Sequence, residues 1–295
     1  MESTKFKLLI NSITKEMNVY NVCDFYNNHY NIVNFINKKS NIYSLSKNVT
    51  SLCIGILFDK KLLSLQDDIY DIFKDEYPTS ISYKGVTIED VLKQVTGIKE
   101  GFLDIDVEDK NSFDEDDYLK IIFKKGLFYH DKNHFVYSDS NYYLLGRIVK
   151  KVSGLFLQDF IVKYIFTPLE IIDYEFVLDP INNQMGATGI FLHSYDVNKI
   201  GQIFIDGTFF NQRIVSSEYI NLSKSKLVKV DEKIKYGFSL WFNDESKIYY
   251  GCGMLGQMFV LLDEEVISLI SEDKNNKIEL LKDILLRKDV QNGNL

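Results

Sequence analysis

The chain has 295 residues, of which 45% are hydrophobic and 26% are charged, so it can form one large globular domain or two smaller ones. Its formal net charge of -8, without a basic stripe, argues against nucleic acid or an anionic membrane surface as a partner. Its three cysteines are an odd number without close spacing, which argues against a disulfide framework and favours a reducing compartment.

The N-terminal residues lack the apolar run of a signal peptide, and no stretch is long enough to cross a bilayer. We therefore expect a cytoplasmic protein, unless a leader has been removed, and no membrane partner. The sequence leaves the oligomeric state open, with a monomer favoured.

Secondary-structure patterns begin with a helix and two strands. Apolar side chains recur at helical spacing across residues 4–17, and residues 19–36 indicate two short strands around a turn at 27–29. A long helix with one buried face is expected to start at Ser44. Helical patterns dominate the middle of the chain. Helices are predicted there at 88–95, 118–123, 142–152 and 157–165.

Strand patterns return near the end of the chain, after a predicted helix at 196–205. Strands are predicted at 238–242, 248–250, 257–262 and 266–270, and a final helix at 274–288.

The strands at the two ends of the chain predict the fold class. Because antiparallel strands need neighbours in space, and the predicted strands occur only near the two ends, both ends should build one sheet. We therefore predict an α/β fold of the α+β type. Its sheet domain would comprise residues 1–46 and 185–295, its helical domain would comprise residues 47–184, and the active-site cleft would lie between them.

A serine followed three residues later by a lysine is the first candidate for chemistry. Only Ser44 of the four such serines begins a long apolar helix directly after predicted strands, and Lys47 shares its helix face. The free N–H groups of a first helical turn favour a developing oxyanion. The alternative is a helix cap at Ser44 and a surface charge at Lys47. The other pairs are Ser12/Lys15, Ser223/Lys226 and Ser271/Lys274.

A second segment, residues 135–146, carries a family resemblance. Its sequence Phe-Val-Tyr-Ser-Asp-Ser-Asn-Tyr-Tyr-Leu-Leu-Gly resembles the Tyr-x-Asn box of class C β-lactamases, DD-peptidases and the related serine hydrolases and esterases. Further segments resemble motifs of this family in the family's order. They are residues 44–47, 59–68, 86–97, 166–171, 187–201 and 250–257.

The resemblance implies a β-lactamase/DD-peptidase-like fold and an acyl-enzyme mechanism without a catalytic histidine. Ser44 would be the nucleophile, Lys47 its activating partner, and Tyr137 the shared general base and acid. Near a cationic Lys47, the phenolate of Tyr137 is expected to be favoured. The N–H groups of Ser44 and of a residue near Met254 would form the oxyanion hole. No cofactor and no metal ion are implied.

The resemblance also implies a substrate-binding set of Asp139, Gly251, Cys252, Gly253 and Met254, with two departures from the family pattern. Asp139 stands where the family usually has Asn, and a carboxylate there is expected to keep Lys47 protonated. The triplet at 251–253 stands where the family has Lys-Thr-Gly or His-x-Gly, whose cation helps to hold a substrate carboxylate.

These departures shape the predicted function. Without the cation we expect an esterase or peptidase type of serine hydrolase, acting on a small ester, amide or peptide, rather than a true β-lactamase. The rival hypothesis is a catalytically impaired relative that uses the cleft to bind a ligand or partner.

Other candidate residues favour structural roles. Cys252 could be a thiol nucleophile, although a small residue lining the cleft is the simpler interpretation. The acidic run at 104–117 could bind a cation, although a solvated loop over the cleft is favoured. No Gly-x-Ser-x-Gly elbow is present, which excludes an α/β-hydrolase. The histidines lack metal-ligand spacing, and two of them precede Tyr137 at the expected rim of the cleft. They are His29, His130, His134 and His193.

Overall fold

A computed structural model describes residues 2–109, 112–129, 132, 134–263 and 265–287. The α-helices are α1 (Thr4–Ser12), α2 (Ser46–Asp59), α3 (Ile69–Phe73), α4 (Ile88–Leu92), α5 (Tyr118–Lys125), α6 (Asp139–Ser153), α7 (Leu157–Ile161), α8 (Ser194–Asp206), α9 (Ser217–Ser225) and α10 (Glu279–Leu286). Short 3-10 helices cover Lys15–Met17, Tyr43–Leu45 and Pro78–Tyr83, and a π-helical turn covers Val162–Phe166.

The strands are β1 (Val19–Tyr26), β2 (His29–Asn34), β3 (Ser40–Asn41), β4 (Glu175–Phe176), β5 (Ile190–Leu192), β6 (Thr208–Phe209), β7 (Gln212–Arg213), β8 (Val228–Lys229), β9 (Ile234–Gly237), β10 (Leu240–Asn243), β11 (Ile248–Cys252), β12 (Met258–Leu261) and β13 (Glu265–Ser271).

The main sheet has eight strands in the order β2-β1-β13-β12-β11-β10-β9-β8, and every neighbouring pair is antiparallel. Strand β1 pairs directly with β13, so that Cys23 lies opposite Ser268. The prediction that both ends of the chain build one antiparallel sheet is therefore confirmed. Strands β3, β5 and β4 form a small second sheet, which was not predicted.

Helices cover both faces of the main sheet. On one face α1 and α10 bury side chains such as Phe6 and Leu281 against Val260 and Leu269. On the other face α8 packs on β1, β12 and β13. The core on this second face continues without interruption into the helices around α2 and α6. The proposed division into a sheet domain and a helical domain remains a prediction.

Helix α2 is buried more completely than its sequence pattern predicted. Residues 46–57 are all buried, which suits a helix that is apolar on most of its faces. Gly55 permits the close approach of α9, because a Cβ there would lie 2.5 Å from a ring carbon of Tyr219. The helix starts at Ser46 rather than at Ser44, since Ser44 belongs to the preceding 3-10 turn.

The predicted strand at 238–242 starts two residues later than expected. Phe238 and Ser239 have φ values of 45° and 77° and form the turn between β9 and β10. Neither residue type is typical of a left-handed turn. The turn is held from outside, because Ser51 donates to the Phe238 carbonyl and Asn48 donates to the Ser239 carbonyl. Tertiary contacts with α2 therefore decide this part of the sheet.

Across the described part of the chain, no helix combines the length and the apolarity that crossing a bilayer requires.

Candidate active site

Ser44 lies at a sharp turn between strand β3 and helix α2. Tyr43, the residue before it, has a φ of 47°, which is a strained conformation for a bulky side chain. The Asn41 side chain supports the turn by accepting a hydrogen bond of 2.9 Å from the Tyr43 N–H. Ser44 remains partly exposed, whereas the residues that follow it are buried. The turn therefore presents the hydroxyl at the surface of a rigid helix.

Lys47 lies one turn further on, and its ammonium group has three hydrogen-bond acceptors. Its Nζ is 3.0 Å from Ser44 Oγ, 2.7 Å from Asp139 Oδ1 and 3.2 Å from the Ala187 carbonyl oxygen. An ammonium has three N–H donors, so this arrangement satisfies all of them. Lys47 is only 1% exposed, and such a burial of charge requires close partners.

Asp139 is the anionic partner in a buried ion pair. It is the first residue of α6, and the Ser138 hydroxyl caps this helix by accepting a hydrogen bond from the Ser140 N–H. The cap fixes the direction of the first turn, and the Asp139 carboxylate then meets the Lys47 ammonium. Removing one partner of such a pair would leave an uncompensated buried charge. The two side chains therefore stabilise each other's buried position.

Tyr137 completes the cluster, but its phenol is not poised as an anion. The Lys47 Nζ lies 4.7 Å from the centroid of the Tyr137 ring, over the ring face. Burial, together with the nearby Asp139 charge, raises the pKa of Tyr137 well above its ordinary value, and a hydrogen bond with Ser44 opposes this effect. The expectation of a favoured phenolate is therefore wrong. The physical reasons are the burial of the phenol, which raises the Tyr137 pKa most, and the Asp139 charge beside the Lys47 ammonium, which adds to that effect.

Ser44, Tyr137 and Asp139 line a cavity of about 500 Å³, and Lys47 lies behind them. The residues that line it are Ser44, Gly101, Phe102, Asp104, Asp106, Val107, Glu108, Tyr137, Ser138, Asp139, Trp241, Cys252, Gly253 and Met254. Within this described lining four side chains are acidic and none is basic, so the cavity has an anionic character.

Strand β11 and the turn after it form one wall of the cavity. Cys252, Gly253 and Met254 lie on this wall, as the predicted substrate-binding set requires. The Gly253 N–H donates to the Gln257 carbonyl at 2.7 Å, so this amide already has a partner within the turn. The neighbouring Met254 is 47% exposed.

Gly251 does not belong to the cavity wall, which corrects its predicted place in the substrate-binding set. It is buried, and a Cβ at this position would lie 2.5 Å from a ring carbon of Phe259 and 2.8 Å from atoms of Asn48 and Leu45. The strand therefore packs too closely against the start of α2 for a longer side chain at Gly251. This packing accounts for the missing cation of the family triplet.

Cys252 faces the cavity, but its environment opposes thiol chemistry. Burial raises the pKa of the Cys252 thiol to about 11, and the positive charges of Lys282 and Lys47 offset only part of that effect. Because the thiolate is the nucleophilic form, a thiol with a raised pKa is a poor nucleophile near neutral pH. The position therefore fits a small lining residue.

The other serine and histidine candidates lie in structural settings. Ser12, Ser223 and Ser271 each donate to a backbone carbonyl, at 2.8, 2.7 and 2.7 Å. His134 is exposed, and its ring lies 4.1 Å from that of Tyr129. The predicted rim residue His130 lies outside the described residues.

The cavity also contains residues outside the predicted catalytic and substrate-binding sets. Asp104, Asp106 and Glu108 line it, so the acidic run forms part of the cleft. Trp241 lines it as well, and its ring stacks on Tyr137 with a centroid distance of 5.6 Å and an interplanar angle of 27°. The acidic run was a visible signal. Trp241, the single tryptophan of the chain, carried no motif.

The fold is similar to those of several proteins of known structure. The structure resembles a penicillin-binding protein from Bacillus halodurans, with a TM-score of 0.75 and 14% identity over 94% of this chain and 97% of that one. It also resembles EstCE1, a hydrolase with promiscuous acyltransferase activity, with a TM-score of 0.74 and 12% identity over 98% of both chains. At such low identity these similarities establish the fold alone, and the predicted β-lactamase/DD-peptidase-like fold is confirmed.

Sequence comparison identifies the family. Penicillin-binding protein 4* of Bacillus subtilis (strain 168) is 30% identical over 129 residues, which cover 42% of this chain and 28% of that protein. The chain thus matches less than a third of this relative's length. The sequence model of the beta-lactamase family matches residues 37–191, a span that contains Ser44, Lys47, Tyr137 and Asp139. Since this span is more than half of the chain, the protein belongs to the beta-lactamase family.

Proposed function

We propose that this protein is a serine hydrolase that works through an acyl-enzyme on Ser44. The observation that carries the proposal is the 3.0 Å contact between Ser44 Oγ and Lys47 Nζ at the edge of a cavity large enough for a small substrate. A nucleophile within hydrogen-bonding distance of a basic group, itself oriented by a third residue, is typical of covalent catalysis. The membership of the family supports the same class of reaction.

The contacts suggest a route for the proton. The neutral form of Lys47 takes the proton of the Ser44 hydroxyl, while Ser44 Oγ forms a bond to the substrate carbonyl carbon. The neutral Tyr137 phenol gives its proton to the leaving oxygen or nitrogen as the scissile bond breaks. Lys47 then returns its extra proton to Tyr137, and Asp139 stabilises the ammonium that exists between the two transfers. Water repeats the sequence in place of Ser44 and releases the acyl group as an acid.

The developing oxyanion requires N–H donors. We assign the Ser44 N–H, at the start of the helical segment, and the Met254 N–H, in the exposed turn after β11, to this role. The Gly253 N–H is excluded because it donates to the Gln257 carbonyl. These assignments follow the family resemblance.

The lining of the cavity favours an ester or amide without a carboxylate near the reacting carbonyl. A penicillin would bring its carboxylate into a cavity lined by four acidic residues and no basic one among the described residues. The loss of one hydrogen bond to a charged group costs about 1.5–3 kcal/mol, or roughly ten- to a hundredfold in rate. We therefore infer that short acyl esters are hydrolysed faster than penicillins and cephalosporins.

A second candidate function is ligand binding without turnover. The observation that favours it is the resting state of the cluster, in which Lys47 is paired with Asp139 and the pKa of the Tyr137 phenol is raised. Neither group is then a ready base. Under this proposal the cleft would bind a small ligand or a partner segment, and Ser44 would not be acylated.

Covalent labelling separates the two candidates. The purified protein is incubated with a fluorophosphonate probe, and the modified residue is located by mass spectrometry of peptides. We expect stoichiometric labelling of Ser44, complete loss of labelling in Ser44→Ala, and full labelling in the control variant Ser12→Ala, which changes the same sequence pattern elsewhere. An unlabelled wild-type protein, or equal labelling of Ser44→Ala, would contradict the hydrolase proposal.

A further inference from the structure

We propose that the cleft selects substrates that carry a positive charge, as a primary or quaternary ammonium group, near the scissile ester or amide. This inference rests on the proposed function, because the ligand in question is the substrate that Ser44 attacks. It goes further by assigning a charge to that substrate. It concerns the specificity of the cavity already described.

The arrangement of the carboxylates gives the first reason. Asp104, Asp106 and Asp139 each place one carboxylate oxygen within 4.8 Å of the other two, and Glu108 lines the same cavity. The Lys47 ammonium compensates the charge of Asp139, since the two groups lie 2.7 Å apart. Among the described residues no cation forms a salt bridge with Asp104 or Glu108, so the contents of the cavity can balance the charges of these two carboxylates.

The described hydrogen bonds of Asp104 and Glu108 orient these two carboxylates without neutralising them. Asp104 Oδ1 accepts a hydrogen bond from the Asp106 N–H at 3.1 Å, and Glu108 Oε1 accepts one from the Asp104 N–H at 2.8 Å. In the described part of the chain neither Asp104 nor Glu108 forms a salt bridge. Asp106 accepts from the hydroxyl of Thr188 at 2.5 Å, which fixes the direction of its carboxylate.

The cluster is electrostatically unfavourable while the cavity holds no cation. Burial raises the pKa of Asp104, and the nearby Asp139 charge adds to that effect. Like charges at this separation repel one another in a partly buried site, where the dielectric screening is weaker than in water. A bound cation would relieve this repulsion between the carboxylates, and that relief would contribute part of its binding energy.

The aromatic wall indicates an organic cation rather than a metal ion. Trp241 lines the cavity next to Tyr137, and an indole face attracts an ammonium group, by about 0.5–2 kcal/mol. The cavity, at about 500 Å³, is also many times larger than a single ion requires. Carboxylates on one side and an aromatic ring on another are typical of sites for ammonium groups.

The test compares two substrates of equal shape. One is the choline ester of a short carboxylic acid, and the other carries a tert-butyl group in place of the trimethylammonium group. A second pair places the same two groups on the acyl side of an ester. We expect kcat/KM to be roughly tenfold higher for the charged member of at least one pair, and the preference to shrink at high salt. Equal kcat/KM values within both pairs would overturn the proposal.

Three variants locate the source of the preference. Asp104→Asn and Glu108→Gln should each lower the charged-to-neutral ratio of kcat/KM several-fold, because kcat/KM falls more for the charged ester than for the neutral one. Glu100→Gln is the matched control, because it removes one negative charge from the same segment outside the cavity lining, and its ratio should equal that of the wild type. Equal losses of the ratio in all three variants would point to the general charge of the protein and overturn the assignment.

A metal ion is tested in the same experiment. If Ca²⁺ or Mg²⁺ raised kcat/KM for the neutral esters and no charge preference existed, the carboxylates would serve a cation site and the ammonium proposal would fail. Labelling of Ser44 by the fluorophosphonate probe is independent of substrate charge. A labelled protein without charge preference would therefore refute only this inference, whereas an unlabelled protein would refute the hydrolase function itself.

Discussion

At the scale of single residues, the proposed mechanism depends on the pairing of Lys47 with Asp139. The family usually has Asn at this position, a neutral residue that would not stabilise the positive charge of the lysine. Here the carboxylate lies 2.7 Å from the ammonium and stabilises its charge. The activity of the site should therefore depend on pH in a way that the charge of Asp139 controls.

Replacement of Asp139 tests this dependence. In Asp139→Asn the negative charge beside the Lys47 ammonium is lost, and the acid limb of the kcat/KM profile should move to lower pH. The profile is measured with a neutral ester. Asp114→Asn, which removes an exposed carboxylate paired with Lys124, should leave the limb in place. A limb that stays where it is in Asp139→Asn would show that this carboxylate does not control the base.

The close packing around Gly251 leads to a prediction about the stability of the fold. The contact distances predict that Gly251→Ala overpacks the interface between β11 and α2 and lowers the free energy of unfolding by about 1–3 kcal/mol. The quantity is measured by urea denaturation. Cys252→Ala is the control, because its side chain faces the cavity, and it should cost less. A Gly251→Ala variant as stable as the wild type would contradict the packing account of the missing cation.

At the scale of elements, the start of helix α6 organises the site. The Ser138 hydroxyl accepts hydrogen bonds from the Ser140 and Phe102 N–H groups and donates to the Phe102 carbonyl. It therefore joins the first turn of α6 to the loop that begins at Gly101 and carries the acidic residues. Ser138 thus positions Asp139 and also supports the loop that lines the cavity.

Ser138→Ala should weaken both the positioning of Asp139 and the support of the loop. We expect the free energy of unfolding to fall by about 1–3 kcal/mol, because a buried N–H loses its partner along with the helix cap. We also expect kcat/KM to fall, because the loop and Asp139 lose their fixed positions. Ser153→Ala at the other end of α6 is the control, since its hydroxyl bonds to the nearby backbone groups of Val149 and Leu155, which do not line the cavity. Equal effects of both substitutions on kcat/KM would argue against a positioning role for Ser138.

The elements also show what the sequence could predict. The pairing of β1 with β13 was predictable, because strand patterns were confined to the two ends of the chain. Strands of two residues, such as β3 and β4, are too short for a periodic pattern, so the small second sheet was missed. The turn at Phe238 has no glycine or asparagine to mark it, since α2 holds its backbone from outside.

The candidate site also contains residues that the sequence predicted and residues that it did not. Ser44, Lys47 and Tyr137 were identified from motifs, and the structure brings all three together. Asp104 belongs to the acidic run that was expected to form a loop over the cleft, and it lies in the cavity lining. Trp241 reaches the cavity through the register of a sheet, which no local pattern encodes. The state of the Tyr137 phenol was wrongly predicted because burial and the position of Asp139 are properties of the folded chain.

At the scale of the whole molecule, a buried acidic pair joins strands β1 and β13, which come from the two ends of the chain. Glu265 on β13 and Asp24 on β1 are both buried and hydrogen-bonded to each other. Ser3, the cap of α1, donates to Glu265. Burial raises the pKa of Glu265 to about 8, and the Asp24 charge adds to the effect. At neutral pH Glu265 therefore keeps its proton and can donate it to Asp24.

This proton makes the stability of the fold depend on pH. The folded protein binds the Glu265 proton more tightly than the unfolded chain, in which a glutamate titrates near 4.5. The stabilisation is thus fully present below about pH 4.5 and is lost as the pH rises to about 8. Within this window Glu265 should lower the free energy of unfolding by up to about 1.4 kcal/mol per pH unit. Burial also raises the pKa of Asp24, which contributes with the same sign.

Glu265→Gln tests this account, because glutamine can donate to Asp24 and accept from Ser3 at every pH. We expect urea denaturation between pH 5 and pH 9 to show a shallower loss of stability in the variant, and the variant to be more stable than the wild type above about pH 8. Glu279→Gln, which changes an exposed glutamate on α10 paired with Lys282, should keep the wild-type slope. Parallel curves for wild type and Glu265→Gln would mean that Glu265 is already ionised in the folded protein, and that the link between the ends of the chain is an ionic contact rather than a shared proton.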